Sequence, residues 1–417
     1  MEQDFQSLKK QKTLLHIDGD AFFVGVEIAK NSKLKGLPVV TGEERGIVSA
    51  LSYEAKALGI VRGMPIYKVN KYFPTVIVLP GDYKSYIKYS NLMFNIVRRY
   101  ADDVEEYSID ECFADLTGLD RTLKMTYTQI AERIKKEINE ELALSVSIGL
   151  APTKVLAKVA SKWVKPNGLT VIDSLTVKNF LTHFSIEKIW GIGPRTAFFL
   201  KNKGINTADD FATKDFDWVK NNLSKPYDTI WRELNCDRVL EIDPKLKTTY
   251  SSIQKTRSFH PNTNDKTFLF SELSKHIEDA CAKARHYKLT TNRISFFLKT
   301  KDFVFSNCTI SISTAANVPE VMIPLVHEKF ITMHKKGILY RTTGFVLHNL
   351  SHNHLVQHDL FGNVDKVNKF ELIHNQIDAL EAKFGKNVVH LGSTQRALRN
   401  KRSETDYEDL GRDLLFL

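Results

Sequence analysis

The sequence predicts an α+β fold: a sheet domain of the split βαβ type at the head of the chain, with two smaller domains behind it. Three observations carry this. Short apolar runs interleave with helix-period segments over residues 11–172 instead of segregating into separate halves. Pro166 and Gly168 stop that pattern, and a second break falls at Asp243-Pro244, where the mix of elements changes. The 417 residues suffice for about three domains at roughly 150 residues each, and no internal repeat suggests an array.

In chain order, Leu14 to Ile17 reads as a strand ending in Asp18-Gly19-Asp20. AFFVGVEIAK follows as a helix, with Asp20 its expected N-cap. The Gly- and Pro-punctuated GLPVVTGEERGIVSA, the helix SYEAKAL, VRGMPIYKV and the strand TVIVLP are small pieces that suit an inserted subdomain. Apolar spacing from Tyr83 to Tyr100 is helical. YSIDECFADL alternates as a strand does, which puts Asp110 and Glu111 on an ordered strand. A helix near Thr128 to Glu141, the strand LALSVSIGLA and the helix APTKVLAKVASKWVKPNG complete the region. Residues 173–240 are short-helical around IEKIWGIGPRTAFFLKNKGI. Residues 244–350 mix the helix FLFSELSKHIEDACAKARHYK with the strands RISFFLKT, FSNCTISIS and LYRTTGFVLHNL. The last 67 residues read as a tail with a helix near Lys369 to Phe384.

Lys plus Arg number 59 against 49 Asp plus Glu, a net charge of +10 that favours a polyanionic partner. Counted along the chain, the excess is +2 for residues 1–243, +9 for 244–350 and −1 for 351–417. The third region therefore carries the expected grip on nucleic-acid phosphates. Cys112, Cys236, Cys281 and Cys308 are scattered without ligand spacing, so no disulfide framework or zinc knuckle is encoded. With a polar N-terminus and no run of 18 apolar residues, a soluble protein of a reducing cytoplasm is expected, with no membrane partner.

Four features bear on chemistry. If the strand ending at Asp18 neighbours the one carrying Asp110 and Glu111, three carboxylates converge at one sheet edge. Hard cations such as Mg2+ take that donor set together with substrate phosphates. An isolated acidic pair is ordinarily solvated surface; the apolar Ile109 and Cys112-Phe113 around this one argue for order. Lys154, Lys158 and Lys162 share a helix face, with Lys165 just beyond, and form a ridge able to follow phosphates. Gly191 and Gly193, flanked by apolar helices, form the hairpin of a helix-hairpin-helix that binds DNA backbone through its N–H groups. His348, His352, His354 and His358 cluster without a carboxylate or cysteine at ligand spacing, and are read as loop residues.

Four blocks, LLHIDGDAFFVGVE, SALSYEAKALGIVRGM, YSIDECFADLTG and SVSIGLAPTKVLAKVASKWVKPNGLTVI, together resemble the Y-family DNA polymerases, the translesion enzymes of the DinB and UmuC branches. The resemblance covers about residues 11–350. It implies a right-hand polymerase: palm at 11–22 and 83–172, small fingers at 23–82, a helical thumb at 173–240, an α/β little finger at 248–350 and a C-terminal tail at 351–417. Asp18, Asp110 and Glu111, with the Gly19 carbonyl, match the ligands of two catalytic Mg2+ ions, for which Mn2+ can substitute. Phe23 matches the steric gate against a ribose 2′-OH; without the family it reads as an ordinary core residue. Tyr53, Lys56 and Lys165 match the triphosphate contacts. Two positions depart: Ala50 replaces a hydroxyl found in many members, and Lys56 replaces the Arg of DinB-type enzymes while suiting the UmuC branch. Lys154, Lys158, Gly191 and Gly193 are the expected DNA contacts. Gln357, Leu360 and Phe361, in QHDLF, resemble the bacterial sliding-clamp pentapeptide.

The implied activity is template-directed addition of deoxynucleoside triphosphates to a primer opposite damage, at low fidelity and without proofreading. The implied setting is a bacterial nucleoid and the SOS response, with primer-template DNA and a sliding clamp as partners and an accessory protein if the chain is UmuC-like. A non-catalytic scaffold that binds DNA and clamp is the rival reading; the presence of all three carboxylates argues against it. A cyclase or nuclease on a similar sheet would leave the hairpin and the basic third region unexplained.

Overall fold

The computed structural model describes residues 13–245, 249–352 and 363–399. The chain divides into two compact units between residues 246 and 247.

The first unit is built on strand β1 (Leu14–Gly19), followed by helix α1 (Phe22–Lys30). Strands β2 (Val39–Thr41), β3 (Ala50–Leu51) and β4 (Ile77–Leu79) make a separate small sheet in the order β3-β2-β4, accompanied by α2 (Tyr53–Ala57) and α3 (Ile66–Tyr72). Then come α4 (Tyr83–Arg98), the hairpin β5 (Val104–Glu106) and β6 (Glu111–Asp115), α5 (Leu119–Leu123), α6 (Tyr127–Leu142), β7 (Val146–Ala151), α7 (Lys154–Trp163) and β8 (Leu169–Val171). The main sheet runs β5-β6-β1-β7-β8, with β1 antiparallel to both neighbours.

Both faces of β1 are covered, so its six residues are all buried. Leu15 and Ile17 face the core built with α4 and α6, while Leu14 belongs to the core under α7. With a side-chain period of two, His16 and Asp18 share the α7 face, paired across the ladder with Phe113 and Glu111. Five short helices follow: α8 (Val177–His183), α9 (Pro194–Asn202), α10 (Ala208–Ala212), α11 (Phe216–Asn222) and α12 (Lys225–Leu234), all sharing the core of α7. The buried Glu233 locks α12 in place by accepting from the backbone N–H of Val155, Val239 and Leu240 at 3.2, 2.7 and 2.8 Å.

The second unit is a four-stranded antiparallel sheet made of β9 (Ser252–Thr263), β10 (Leu289–Thr300), β11 (Phe305–Ala316) and β12 (Tyr340–His348), ordered β11-β10-β12-β9. Helices α13 (Lys266–His286) and α14 (Pro319–Met333) pack on one face. A two-residue strand β13 (Ser351–His352) pairs with β10, and α15 (Asn363–Phe384) and α16 (Gln395–Arg399) follow.

Several expectations need correction. Strand β9 and helix α14 were not predicted: β9 alternates around charged residues, and Pro319 and Pro324 hide the helical period of α14. The helix expected near Lys369 to Phe384 is present as α15, and it is docked on the second unit's core. Asp378 forks onto Arg285 at 2.7 and 2.8 Å, His374 meets Glu320 at 2.9 Å, and Glu371 meets Asn317 at 3.2 Å. Spaced i, i+3, i+7, these three residues form a polar face beside the apolar Val367 and Phe370, which pack into the same core. Among the described residues, no helix is long and apolar enough to cross a membrane.

Candidate active site

The register that sets Asp18 opposite Glu111 brings two of the predicted carboxylates together at the end of β1. Asp110 is not on the strand, as expected from sequence, but in the turn that enters it. There its carbonyl accepts from Gly19 N–H at 2.9 Å, and its carboxylate accepts from Ser108 Oγ at 2.7 Å. Gly19 is closely packed: a Cβ there would lie 3.0 Å from the Phe22 ring, which would have to shift by a few tenths of an ångström.

Asp18 is 8% exposed. Burial, with the Glu111 charge beside it, pushes its carboxyl up to about 6 against the opposing pull of Lys165. Burial likewise raises Asp110, with Ser108 opposing. Lys165 Nζ donates to Asp18 Oδ1 at 2.5 Å, and Lys158 Nζ to Glu111 Oε2 at 2.9 Å. As the side chains stand, no group of three acidic, histidine or cysteine residues among the described residues is poised around an ion; ammonium groups hold two of the carboxylates. The donor chemistry nevertheless fits a hard divalent cation. The candidate ligands are all oxygens, and two of the carboxylates, buried Asp18 and half-buried Asp110, hold their protons above the usual range.

Asp20 was expected to cap α1 but does not; the N-cap is Ala21, at φ 47°, without a side-chain cap. Asp20 is instead a buried hub. Its carboxylate accepts from Ser145 Oγ at 2.7 Å, Ser147 Oγ at 2.8 Å, Asn167 N–H at 2.8 Å and Tyr53 Oη at 3.4 Å, with Lys165 Nζ 3.7 Å away. It therefore gathers two predicted triphosphate contacts, Tyr53 and Lys165, beside Asp18. Burial, followed by the charges of Asp20 and Asp18, raises the Tyr53 phenol and keeps it protonated. Lys56 is exposed, with its Nζ 6.0 Å from the centroid of the Tyr53 ring. Ala50 pairs with Thr41 in the small sheet. Phe23 lies flat on Tyr86, centroids 4.3 Å apart and planes at 9°, with Tyr83 edge-on at 5.6 Å.

The lysine ridge is a further correction. Lys154 and Lys158 are 4% and 5% exposed and cannot follow DNA phosphates. Lys154 bonds both Glu105 oxygens, at 2.7 and 2.6 Å, and the Glu241 carbonyl at 3.2 Å. Helical spacing put these lysines on one face but could not say that Glu105 and Glu111 lay under it. At the hairpin, which follows a three-residue 3-10 turn at Ile186–Lys188, Gly191 sits at φ 89° and exposed Gly193 caps α9 with open space beside it. The signal that was passed over is Trp190, an aromatic immediately before the hairpin glycine, whose Nε1 donates to Tyr107 Oη at 2.9 Å. His348 bonds Ser295 at 2.7 Å. Gln357, Leu360 and Phe361, like His354 and His358, lie outside the described residues.

A model of the impB/mucB/samB family matches residues 17–162, and a model of that family's C-terminal domain matches residues 250–360. The chain is 29% identical over 409 residues to DNA polymerase IV 1 of Bacillus subtilis, covering 95% of this chain and 97% of that protein. It is 30% identical over 303 residues to DNA polymerase IV of Ureaplasma parvum serovar 3, covering 70% and 82%. A solved Y-family DNA polymerase chimera built on Dbh superposes with a TM-score of 0.69 at 27% identity, over 82% of this chain and 100% of that one.

Proposed function

The chain belongs to the impB/mucB/samB family and is a DinB-like Y-family DNA polymerase of the translesion type; from that premise we propose that it joins deoxynucleotides to a primer 3′-OH at the edge where Asp18 faces Glu111. That pairing, with Asp110 at the adjoining turn, is the observation that carries the reading.

Asp18, Asp110, Glu111 and the Gly19 carbonyl would hold two divalent ions, with Mg2+ the fitting choice for an all-oxygen set. When bound, the ions supply a lowered pKa for the primer hydroxyl and neutralisation of the leaving pyrophosphate. The side chains do the positioning. Lys165 gives up Asp18 and turns its ammonium to the triphosphate, an exchange of one cation partner for another. Tyr53, kept protonated, donates to the same phosphates, and Lys56 adds a point charge where an Arg fork would give two-pronged contact. Phe23, braced flat against Tyr86, walls the sugar and excludes a 2′-OH. The small sheet β3-β2-β4 makes slight fingers, which accounts for tolerance of damaged templates and low fidelity. The hairpin at Gly191 and Gly193 takes the DNA backbone, and the basic second unit is the little finger that grips duplex phosphates. Gln357, Leu360 and Phe361 are the clamp contact, and an accessory protein is the further partner if the chain works as UmuC relatives do.

The test is primer extension with Mg2+ on undamaged and lesion-bearing templates. Wild type should extend both, and an Asp110→Ala, Glu111→Ala double variant that still binds DNA should extend neither. Wild type as inactive as the double variant would overturn the reading.

A further inference from the structure

Lys158 stands mid-helix in α7, almost wholly out of water, where an ammonium survives only if its hydrogen bonds and charge are met. Glu111 meets one need, at 2.9 Å. Aromatic faces meet the others: the Nζ lies 4.1 Å from the Tyr107 centroid and 5.1 Å from that of Trp190. These two rings are clasped edge to face, centroids 5.2 Å apart at 79°, by the bond from Trp190 Nε1 to Tyr107 Oη. Both also rest on Phe113 of β6, at 5.8 and 5.9 Å. Trp190 directly precedes Gly191, where an added Cβ would come within 2.7 Å of Ile230 Cδ1, so the hairpin is seated closely against α12. A continuous set of contacts thus runs from the hairpin to a carboxylate of the reaction centre.

We propose that Lys158 is a positioning residue for Glu111, and that the Trp190–Tyr107 clasp ties that position to the hairpin at Gly191–Gly193, so that seating the hairpin on primer phosphates sets the carboxylate for reaction. The proposal rests on the reading of the carboxylate edge given above. A glutamate has three side-chain torsions to order, and anchoring one of its oxygens removes most of that freedom before substrate arrives. A plain counter-charge would act differently. It would only compete with divalent ions, so removing it would tighten metal binding and leave the rate at saturating metal unchanged.

The full chain is tested as Lys158→Met, Lys158→Arg, Tyr107→Phe, Trp190→Phe and the last two combined. Single-turnover insertion is measured at saturating Mg2+, DNA affinity by anisotropy, and Mn2+ binding by electron paramagnetic resonance. For Lys158→Met the rate should fall about 10- to 100-fold while Mn2+ binds as tightly as in wild type or more so, and Lys158→Arg should recover part of the rate. Tyr107→Phe and Trp190→Phe should each cost about 3- to 10-fold. Combined, they should cost no more than one alone, because each removes the same bond. DNA affinity should stay within about twofold throughout. In 5-fluorotryptophan protein without metal, the fluorine resonance that Trp190→Phe deletes should shift when primer-template is added.

The proposal is overturned by an unchanged Lys158→Met rate, by losses that track DNA affinity, by additive clasp variants or by an unmoved resonance. Should Lys158→Met fail to fold, the two ring variants decide the matter. Should wild type itself fail to extend a primer, the functional reading falls, and the fluorine shift still judges the clasp.

Discussion

Asp20 holds together strands, a loop and a tyrosine that are far apart in the sequence, and none of its side-chain bonds goes to the helix beside it. Asn at this position would turn an amide N–H2 toward donors that now meet an oxygen, from Ser147 and Tyr53 on one side or from Ser145 and Asn167 on the other. Asp20→Asn should therefore cost about 1–3 kcal/mol of stability by thermal unfolding. It should also raise KM for the incoming nucleotide more than it lowers kcat, because Lys165 and Tyr53 lose the acceptor that gathers them. An unchanged KM would contradict this. The residue was visible in the sequence as the second acid of Asp18-Gly19-Asp20, yet local rules assigned it to a cap. Its true partners, Ser145, Ser147 and Asn167, lie more than a hundred residues away, beyond the reach of any local pattern. The same holds for Lys154 and Lys158: periodicity gave the shared helix face, and only the tertiary fold supplied the acids beneath it.

At the level of elements, α7 lies against β7 at the closest approach a backbone allows. A Cβ on Gly149 would fall 2.1 Å from the Ala157 carbonyl and 2.4 Å from Ser161 N. Gly149→Ala must lift the helix, and with it Lys158 and the Ser161 hydroxyl that bonds buried His16 at 2.7 Å. A loss of about 3 kcal/mol is expected, read as a lower urea midpoint, together with a fall in insertion rate. A variant as stable as wild type would show that the helix can yield. Helices with one clean period, such as α4 and α6, were legible because their burial follows a single face, and strands β1 and β7, buried on both faces, were legible as short apolar runs. Helix α15 was only half legible. Its docking combines Val367 and Phe370 in the core with Glu371, His374 and Asp378 reaching Asn317, Glu320 and Arg285, partners that no local pattern in the helix discloses.

For the whole molecule, charge is distributed by unit: the region 244–350 holds +9 of the chain's +10, while the acidic run near the carboxylate edge keeps residues 1–243 at +2. Affinity for duplex DNA should accordingly depend on salt mainly through the second unit. Arg293→Gln, Lys299→Gln and Lys301→Gln together should reduce the slope of log affinity against log salt by about 2–3, measured by anisotropy. An unchanged slope would move the phosphate grip to the first unit. The break at Asp243-Pro244 lies beside the division in packing after residue 246, whereas the stop at Pro166 and Gly168 divides nothing, because α8–α12 share the core of α7. The convergence of the site was legible only through the resemblance, since no local rule pairs Asp18 with Glu111. That pairing also bears on synthesis of the chain. Strand β1, wholly buried and central in its sheet, leaves the ribosome before either neighbour, and Lys165, 147 residues after Asp18, is among the last of the site to appear. At roughly 10 residues per second, an apolar strand with two open edges waits about ten seconds for β6. The nascent chain thus carries an unpaired apolar strand through that interval, and Asp18 cannot meet Glu111 until it has closed.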